Sequence, residues 1–227
     1  MLSFYMNSLN VYIGWDSREP KAYDVCVKSI LKHASKKINI YPLKIQELRN
    51  LNYYTRPNDV LSSTEFTFSR FLVPYLNSYK GNALFCDCDF LFLDDIVKIF
   101  DMSIKTKAVQ CCKHDYKPTS EFKMEGVKQH LYPRKNWSSL MLFNCEHEAN
   151  IPLTKELTNT ESGQYLHRFQ WLSDDLIGDI PIEWNWLVGW YKEGLNGYPK
   201  ALHYTQGGPW HKGYENCEYS ELWNSYA

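Results

Sequence analysis

Two carboxylates, Asp87 and Asp89, stand at alternate positions in the otherwise apolar run Ala83-Leu84-Phe85-Cys86-Asp87-Cys88-Asp89-Phe90-Leu91-Phe92-Leu93-Asp94-Asp95. Burying a carboxylate among such neighbours is costly unless a cation meets it. In an extended chain alternate side chains project to one side, so this pair can grip a single hard divalent ion. An ion held in that way suits a diphosphate, and with it nucleotide-sugar chemistry. The plainer alternative is a strand that ends in a turn, with Asp87 capping it and Asp89 in solvent.

The elements around the pair alternate. Leu9 to Gly14 reads as a short apolar strand that runs into the polar turn Gly14-Trp15-Asp16-Ser17-Arg18-Glu19-Pro20. Pro20 fits the first turn of a helix whose inward face is Ala22, Val25, Cys26, Ser29 and Ile30, ending near His33. Ile38 to Leu43 is the next strand. Phe68, Phe71, Leu72, Tyr75 and Leu76 follow helical spacing, with Pro74 predicting a kink or an early end. Ala83 to Cys86 is a strand leading into Asp87, and Asp94 or Asp95 can cap a short helix through Phe100. Ala108 to Cys112 and Leu140 to Phe143 read as further strands, while the polar, weakly periodic residues 113 to 136 predict a loop over a site. This alternation predicts an α/β sandwich with a mainly parallel sheet and a ligand site at the carboxyl ends of its strands. Both the turn after Gly14 and the Asp87, Asp89 pair fall at such ends.

Composition narrows the partners. The chain has 227 residues, 44% of them apolar, enough for one sizeable domain. Its 25 basic and 26 acidic residues nearly balance, which gives no general field for nucleic acid or anionic membranes. No stretch approaches the roughly 20 apolar residues of a membrane span, and the amino terminus does not follow the export pattern, so a cytoplasmic location is expected. Seven cysteines, an odd number without framework spacing, read as reduced thiols. On that reading the sequon Asn136-Trp137-Ser138 is unused.

The run Phe68-Ser69-Arg70-Phe71-Leu72-Val73-Pro74-Tyr75-Leu76, followed by Phe85-Cys86-Asp87-Cys88-Asp89, is similar to retaining glycosyltransferases of the family-eight type, glycogenin-like and lipopolysaccharide galactosyltransferase-like. The resemblance extends in order to Val11-Tyr12-Ile13-Gly14-Trp15-Asp16, to Ser173-Asp174-Asp175-Leu176-Ile177-Gly178 and to His203-Tyr204-Thr205-Gln206-Gly207-Gly208-Pro209-Trp210. It implies the GT-A fold, a Rossmann-like three-layer α/β/α sandwich, in a single domain over residues 1–227. Its nucleotide-binding part would cover about 9–112, and the part that completes the metal site and takes the acceptor about 113–227.

Carried over by residue, the resemblance makes Asp87 and Asp89 the metal pair and His203 the third ligand. Two carboxylates and an imidazole suit Mn²⁺ better than Mg²⁺. Gly14, Trp15, Asp16 and Arg18 become the loop that holds the nucleoside, with Asp16 reaching the base or ribose and uridine the usual base. Cys88, Gly207, Gly208 and Arg70 join the nucleotide contacts, the guanidinium reaching phosphate oxygens or the Asp cluster. Asp174 and Asp175 fall close to the transferred sugar, although Ser173 and Asp174 depart from the family's Asp-Gln pair. Gly208 stands where the family carries a diphosphate-binding Lys, for which Lys212 can substitute. The donor is then a UDP-sugar, and the acceptor a glycan, a lipid-linked core or a protein. Retention follows from the resemblance alone, since an inverting enzyme would need a carboxylate base and Asp175 can be one.

Two other readings stay open. One is a GT-A domain that binds or hydrolyses a nucleotide sugar without transferring it. The other is an interaction module with zinc held by Cys86, Cys88, Cys111, Cys112 and His114, against which the spacing speaks. Trp184, Trp186, Trp190, Trp210 and Trp223 crowd the last part of the chain. Aromatic faces stack on sugars and can form an acceptor platform; most of these tryptophans are expected in the core, with Trp210, in the same matched motif as His203, the best candidate for the site.

Overall fold

The structure, a computed structural model, describes residues 9–57, 62–115 and 133–227. Strand β1 (Leu9–Gly14) and strand β2 (Ile38–Leu43) run parallel, joined by helix α1 (Pro20–His33). Pro20 lies in the first turn of α1, where a missing N–H costs nothing, and Lys32 and His33 meet the negative end of the helix. The expected residues, Ala22, Val25, Cys26, Ser29 and Ile30, form its buried face.

Helix α2 (Ile45–Asn50) follows β2. The helical spacing from Phe68 to Leu76 is realised in two pieces, a 3₁₀ turn at Ser69–Leu72 and a single α-turn, α3 (Val73–Leu76). Pro74 has no N–H to continue the ladder, and it sits where a helix start tolerates that. Strand β3 (Asn82–Cys86) then lies parallel to β1 on the side away from β2. It leads through Asp87 and Asp89 into strand β4 (Phe90–Phe92) and helix α4 (Val97–Asp101), which Asp95 caps by accepting from the Val97 N–H at 3.0 Å.

Strands β5 (Val109–Cys111), β6 (Leu140–Asn144) and β7 (Ile177–Asp179) complete a six-stranded sheet of order β2-β1-β3-β6-β5-β7. β6 is antiparallel to both of its neighbours, and the other strands share one direction. The sheet is therefore mostly parallel, as expected, with one reversal that matters for the site. Leu140 pairs with Cys86, so the chain enters β6 at the end where β3 leaves, and residues 136–139 arrive beside Asp87.

Strand β8 (Trp186–Leu187) and strand β9 (Ala201–His203) form a second sheet with β4, in the order β4-β9-β8. Phe90 is the register partner of His203, which sets His203 beside Asp89. α1 anchors this sheet, since the Phe92 N–H donates to Ser29 Oγ at 3.0 Å. Of the loop expected over 113–136, residues 116–132 lie outside the described residues. No helix among the described residues is long and apolar enough to cross a membrane.

Candidate functional site

Asp87 and Asp89 come from the end of β3 and His203 from the end of β9, and their ligating atoms all lie within 4.8 Å of one another. Two different sheets thus deliver the three groups. His203 is buried, stacked on Phe90 at 4.5 Å between ring centroids, with Nε2 3.4 Å from Asp89 Oδ2. Its Nδ1 is 2.8 Å from Asn185 Oδ1 and donates to it. A neutral imidazole in that state turns a lone pair toward a carboxylate, an arrangement that a proton or a metal cation between them would satisfy. The donor set, two carboxylates and one imidazole, fits a divalent cation. Among the described residues this is the one such group, so Cys86, Cys88, Cys111, Cys112 and His114 do not assemble into a zinc centre. All seven cysteines are free, and six are buried.

Arg70 takes the second of its two expected roles and reaches the Asp cluster. Its NH1 donates to Asp87 Oδ1 at 2.7 Å and to the Ser138 carbonyl at 2.9 Å, and its guanidinium lies near the rings of Phe66 and Phe85. The Asp87 N–H donates to the Ser139 carbonyl at 2.9 Å. Asp87 is thereby oriented through side chain and backbone together.

A cavity of 610 Å³ opens beside the ends of β1 and β2, with Trp15, Ser17, Arg18, Lys44, Arg49 and Tyr54 in its wall. Lys44 Nζ sits over the Trp15 ring at 5.4 Å. Asp16 is buried, and its carboxylate accepts from Arg18 Nε at 2.9 Å, Arg18 NH2 at 2.7 Å and the Glu65 N–H at 3.0 Å. Burial alone would raise its pKa, but these hydrogen bonds outweigh it and hold the carboxyl below its usual value. Asp16 thus serves as a brace for Arg18. Residues 64–70 link cavity and metal pair: Thr64 and Glu65 line the wall, Phe66 covers Gly14 and Arg70 grips Asp87. A side chain at Gly14 would fall inside the Phe66 ring, which explains the glycine without any special backbone angle.

The remaining predicted residues scatter more widely. Asp174 and Asp175 lie in an exposed 3₁₀ turn before β7. The Asp174 side chain, 85% exposed, pairs with Arg134, and the Asp175 carbonyl accepts from Lys107. These contacts do not involve Asp87, Asp89 or His203. Gly207 holds φ 127, and Gly208 lies so close under Trp210 that a Cβ would enter its ring. Trp210 packs on Tyr204 and Trp223, while Trp184 and Trp186 are buried in the core. Lys212 is exposed. The Cys88 thiol is buried and faces Glu19 Oε2 at 3.7 Å, and Glu19 Oε1 bonds His211 Nε2 at 3.0 Å, tying the first turn to the carboxyl-terminal motif. Asn185, Ser139, Glu19 and His211 escape sequence reading. Only Asn185, a lone amide between two tryptophans in Trp184-Asn185-Trp186, carries a local hint.

Two histidines near the site are held neutral. Burial, and after it the neighbouring His203, push the pKa of His114 down to about 3, and burial with the Arg70 charge does the same to His167. Their folded values lie below the unfolded value of 6.5, so their contribution to stability is complete above that pH and is lost as pH falls toward about 3. Each would add a slope of up to about 1.4 kcal/mol per pH unit across that window. His167→Gln is expected to flatten the acid limb of urea stability between about pH 6 and pH 4 by one such slope. An unchanged limb in that variant would contradict a buried neutral His167.

No family model matches the chain. Protein CDI of Arabidopsis thaliana is 47% identical over 216 residues, which cover 94% of this chain and 83% of that protein. Among solved structures, the glycosyltransferase GlyE of Streptococcus pneumoniae TIGR4 superposes with a TM-score of 0.64 at 16% identity, over 96% of this chain and 60% of that one. The bifunctional glycosyltransferase WbbM gives a TM-score of 0.67 at 16% identity over 100% of this chain and 50% of its own. This chain therefore spans half to three-fifths of those two. The galactosyltransferase LgtC, in complex with donor and acceptor sugar analogues, gives 0.59 at 11% identity over 96% and 95% of the two chains. At these identities the likeness establishes the fold, which is the GT-A fold.

Proposed function

This chain belongs to the family of protein CDI of Arabidopsis thaliana, and from its fold and its triad we propose that it is a metal-dependent glycosyltransferase. The donor is a nucleotide sugar, UDP-linked, and the acceptor a glycan, a lipid-linked core or a protein. The observation that carries this reading is the convergence of Asp87, Asp89 and His203 from two sheets onto one point. Held there, a divalent cation, Mn²⁺ before Mg²⁺, would supply positive charge against the departing diphosphate.

The chain's own residues do the rest. Trp15 offers a flat face to the base, and Arg18, braced by Asp16, offers a guanidinium to ribose or phosphate. Arg70 keeps Asp87 aimed at the cation. Gly207 and Gly208 let the main chain approach the diphosphate closely, and Lys212 adds a cation to the same turn. Cys88, with its thiol buried, offers only its backbone to the nucleotide. Asp174 and Asp175 are assigned to the transferred sugar. We assign retention, the acceptor hydroxyl arriving on the leaving-group face, whereas an inverting course would use Asp175 as base. The exposure of Asp174 and its pairing with Arg134 favour, as a second reading, binding or hydrolysis of the nucleotide sugar without transfer.

Melting the protein with UDP, GDP, CDP and ADP, each with Mn²⁺ or with EDTA, tests the proposal. At a hundredfold excess over Kd, a ligand specific for the native state adds about 2.7 kcal/mol, or about 5–10 °C in a chain of this size. The expected result is a shift of that order for UDP with Mn²⁺ and little with EDTA. No metal-dependent shift with any nucleotide would refute it, and release of free sugar without a glycosylated product would select the second reading.

A further inference from the structure

His203 can present Nε2 to a metal only if its other ring nitrogen carries the proton, and buried polar groups around it set that choice. Asn185 is fully buried and accepts from His203 Nδ1 through Oδ1 at 2.8 Å. Its Nδ2 donates to Ser139 Oγ at 2.9 Å, and the Ser139 hydroxyl donates to the main-chain carbonyl of Asn136 at 2.7 Å. A carbonyl can only accept, so the direction of each bond back along the line is fixed. Turning the Asn185 amide over would point an N–H at the imidazole and demand the serine proton for Oδ1, taking it from Asn136. Ser139 has a second task, since its own carbonyl receives the Asp87 N–H at 2.9 Å. One residue at the entrance to β6 thus registers ligands from both sheets.

We infer that Asn185 and Ser139 are positioning residues that lock His203 as the Nδ1–H tautomer, with its Nε2 lone pair turned to the Asp87, Asp89 side. The inference rests on the metal reading above, although the tautomer can be read without metal. Asn185 owes its place to the turn Ile182–Asn185 leading into β8, whose Leu187 is the register partner of His203. The relay thus runs from the small sheet to the entrance of β6. Outer partners of metal-bound histidines commonly contribute 10–100-fold in affinity by this means.

The test uses ¹⁵N-histidine-labelled, metal-free protein for long-range ¹H–¹⁵N spectra, and calorimetric titration with Mn²⁺ for affinity. In the pH range where the His203 spectrum is that of a neutral ring, wild type is expected to show the Nδ1–H tautomer. Asn185→Leu should mix the tautomers and weaken Mn²⁺ by about 10–100-fold. Asn185→Asp, which keeps an acceptor opposite Nδ1, should preserve the tautomer and stay within a few-fold of wild-type affinity. Ser139→Ala, which trims a single oxygen, carries the test if Asn185→Leu does not fold, and should show the same mixing. An unchanged tautomer in Asn185→Leu and Ser139→Ala would overturn the inference, as would equal Mn²⁺ loss in Asn185→Asp and Asn185→Leu. If wild type takes up no Mn²⁺, the metal reading falls by itself, and the tautomer still decides the relay.

Discussion

Asp89→Ala is expected to abolish the Mn²⁺-dependent shift with nucleotide and to weaken Mn²⁺ itself by at least about 100-fold, the cost of losing one of three protein ligands. Asp89 follows β3 by three residues and has its Oδ2 3.4 Å from His203 Nε2, so its removal leaves only Asp87 and His203 to hold a cation. The fold should tolerate the change, because Asp87 and Asp89 are like charges crowded into one site and alanine relieves that repulsion. The metal-free melting temperature is therefore expected to move much less than the ligand shift that is lost. Calorimetric Mn²⁺ titration and melting curves on both proteins check this. A nucleotide shift that survives in Asp89→Ala with its Mn²⁺ dependence intact would place the metal elsewhere.

Arg70→Met is expected to cost about 3–5 kcal/mol of folding stability, the usual result of removing one member of a buried ion pair. Arg70 is 5% exposed, and its guanidinium holds Asp87 at 2.7 Å, the Ser138 carbonyl at 2.9 Å and the Thr67 carbonyl at 3.2 Å. Methionine fills the space beside Phe66 and Phe85 but donates to none of these oxygens. Most of the cost then comes from lost charge-assisted hydrogen bonds and little of it from lost packing. Arg70→Lys should recover less than half, since one ammonium cannot hold Asp87 and Ser138, which NH1 bonds, and also the Thr67 carbonyl, which Nε bonds. The double variant Arg70→Met, Asp87→Leu should be less unstable than the sum of its parts by more than about 1 kcal/mol, because the charge left behind is gone. Urea unfolding of the set measures this, and a loss below about 1 kcal/mol in Arg70→Met would show that Arg70 is not structural to the metal pair.

The two results separate roles that one activity assay would merge. Asp89 variants should lose the ligand and keep the fold, whereas Arg70 variants should lose stability and, through Asp87, metal affinity as well.

Features whose cause is local are legible in the chain before it folds. Period-two and period-3.6 apolar patterns, Pro20 at a helix start, Pro74 as an interruption and Asp95 as a cap each act over one or two turns of chain, and all appear where the pattern predicts them. The Asp87, Asp89 pair is legible for the same reason, since alternate positions on one strand need no distant partner to share a side. His203 is legible only through resemblance, because its approach to Asp89 depends on β9 pairing with β4 far along the chain. Packing of distant elements was needed to fix the antiparallel insertion of β6, which carries Ser138 and Ser139 to Asp87, and the turn that sets Asn185 behind His203. It also turned Asp16 inward to brace Arg18 and left Asp174 exposed. Hydrogen-bond partners of isolated polar residues leave no periodic trace in a sequence. They are selected when separate elements pack and every buried donor must find an acceptor.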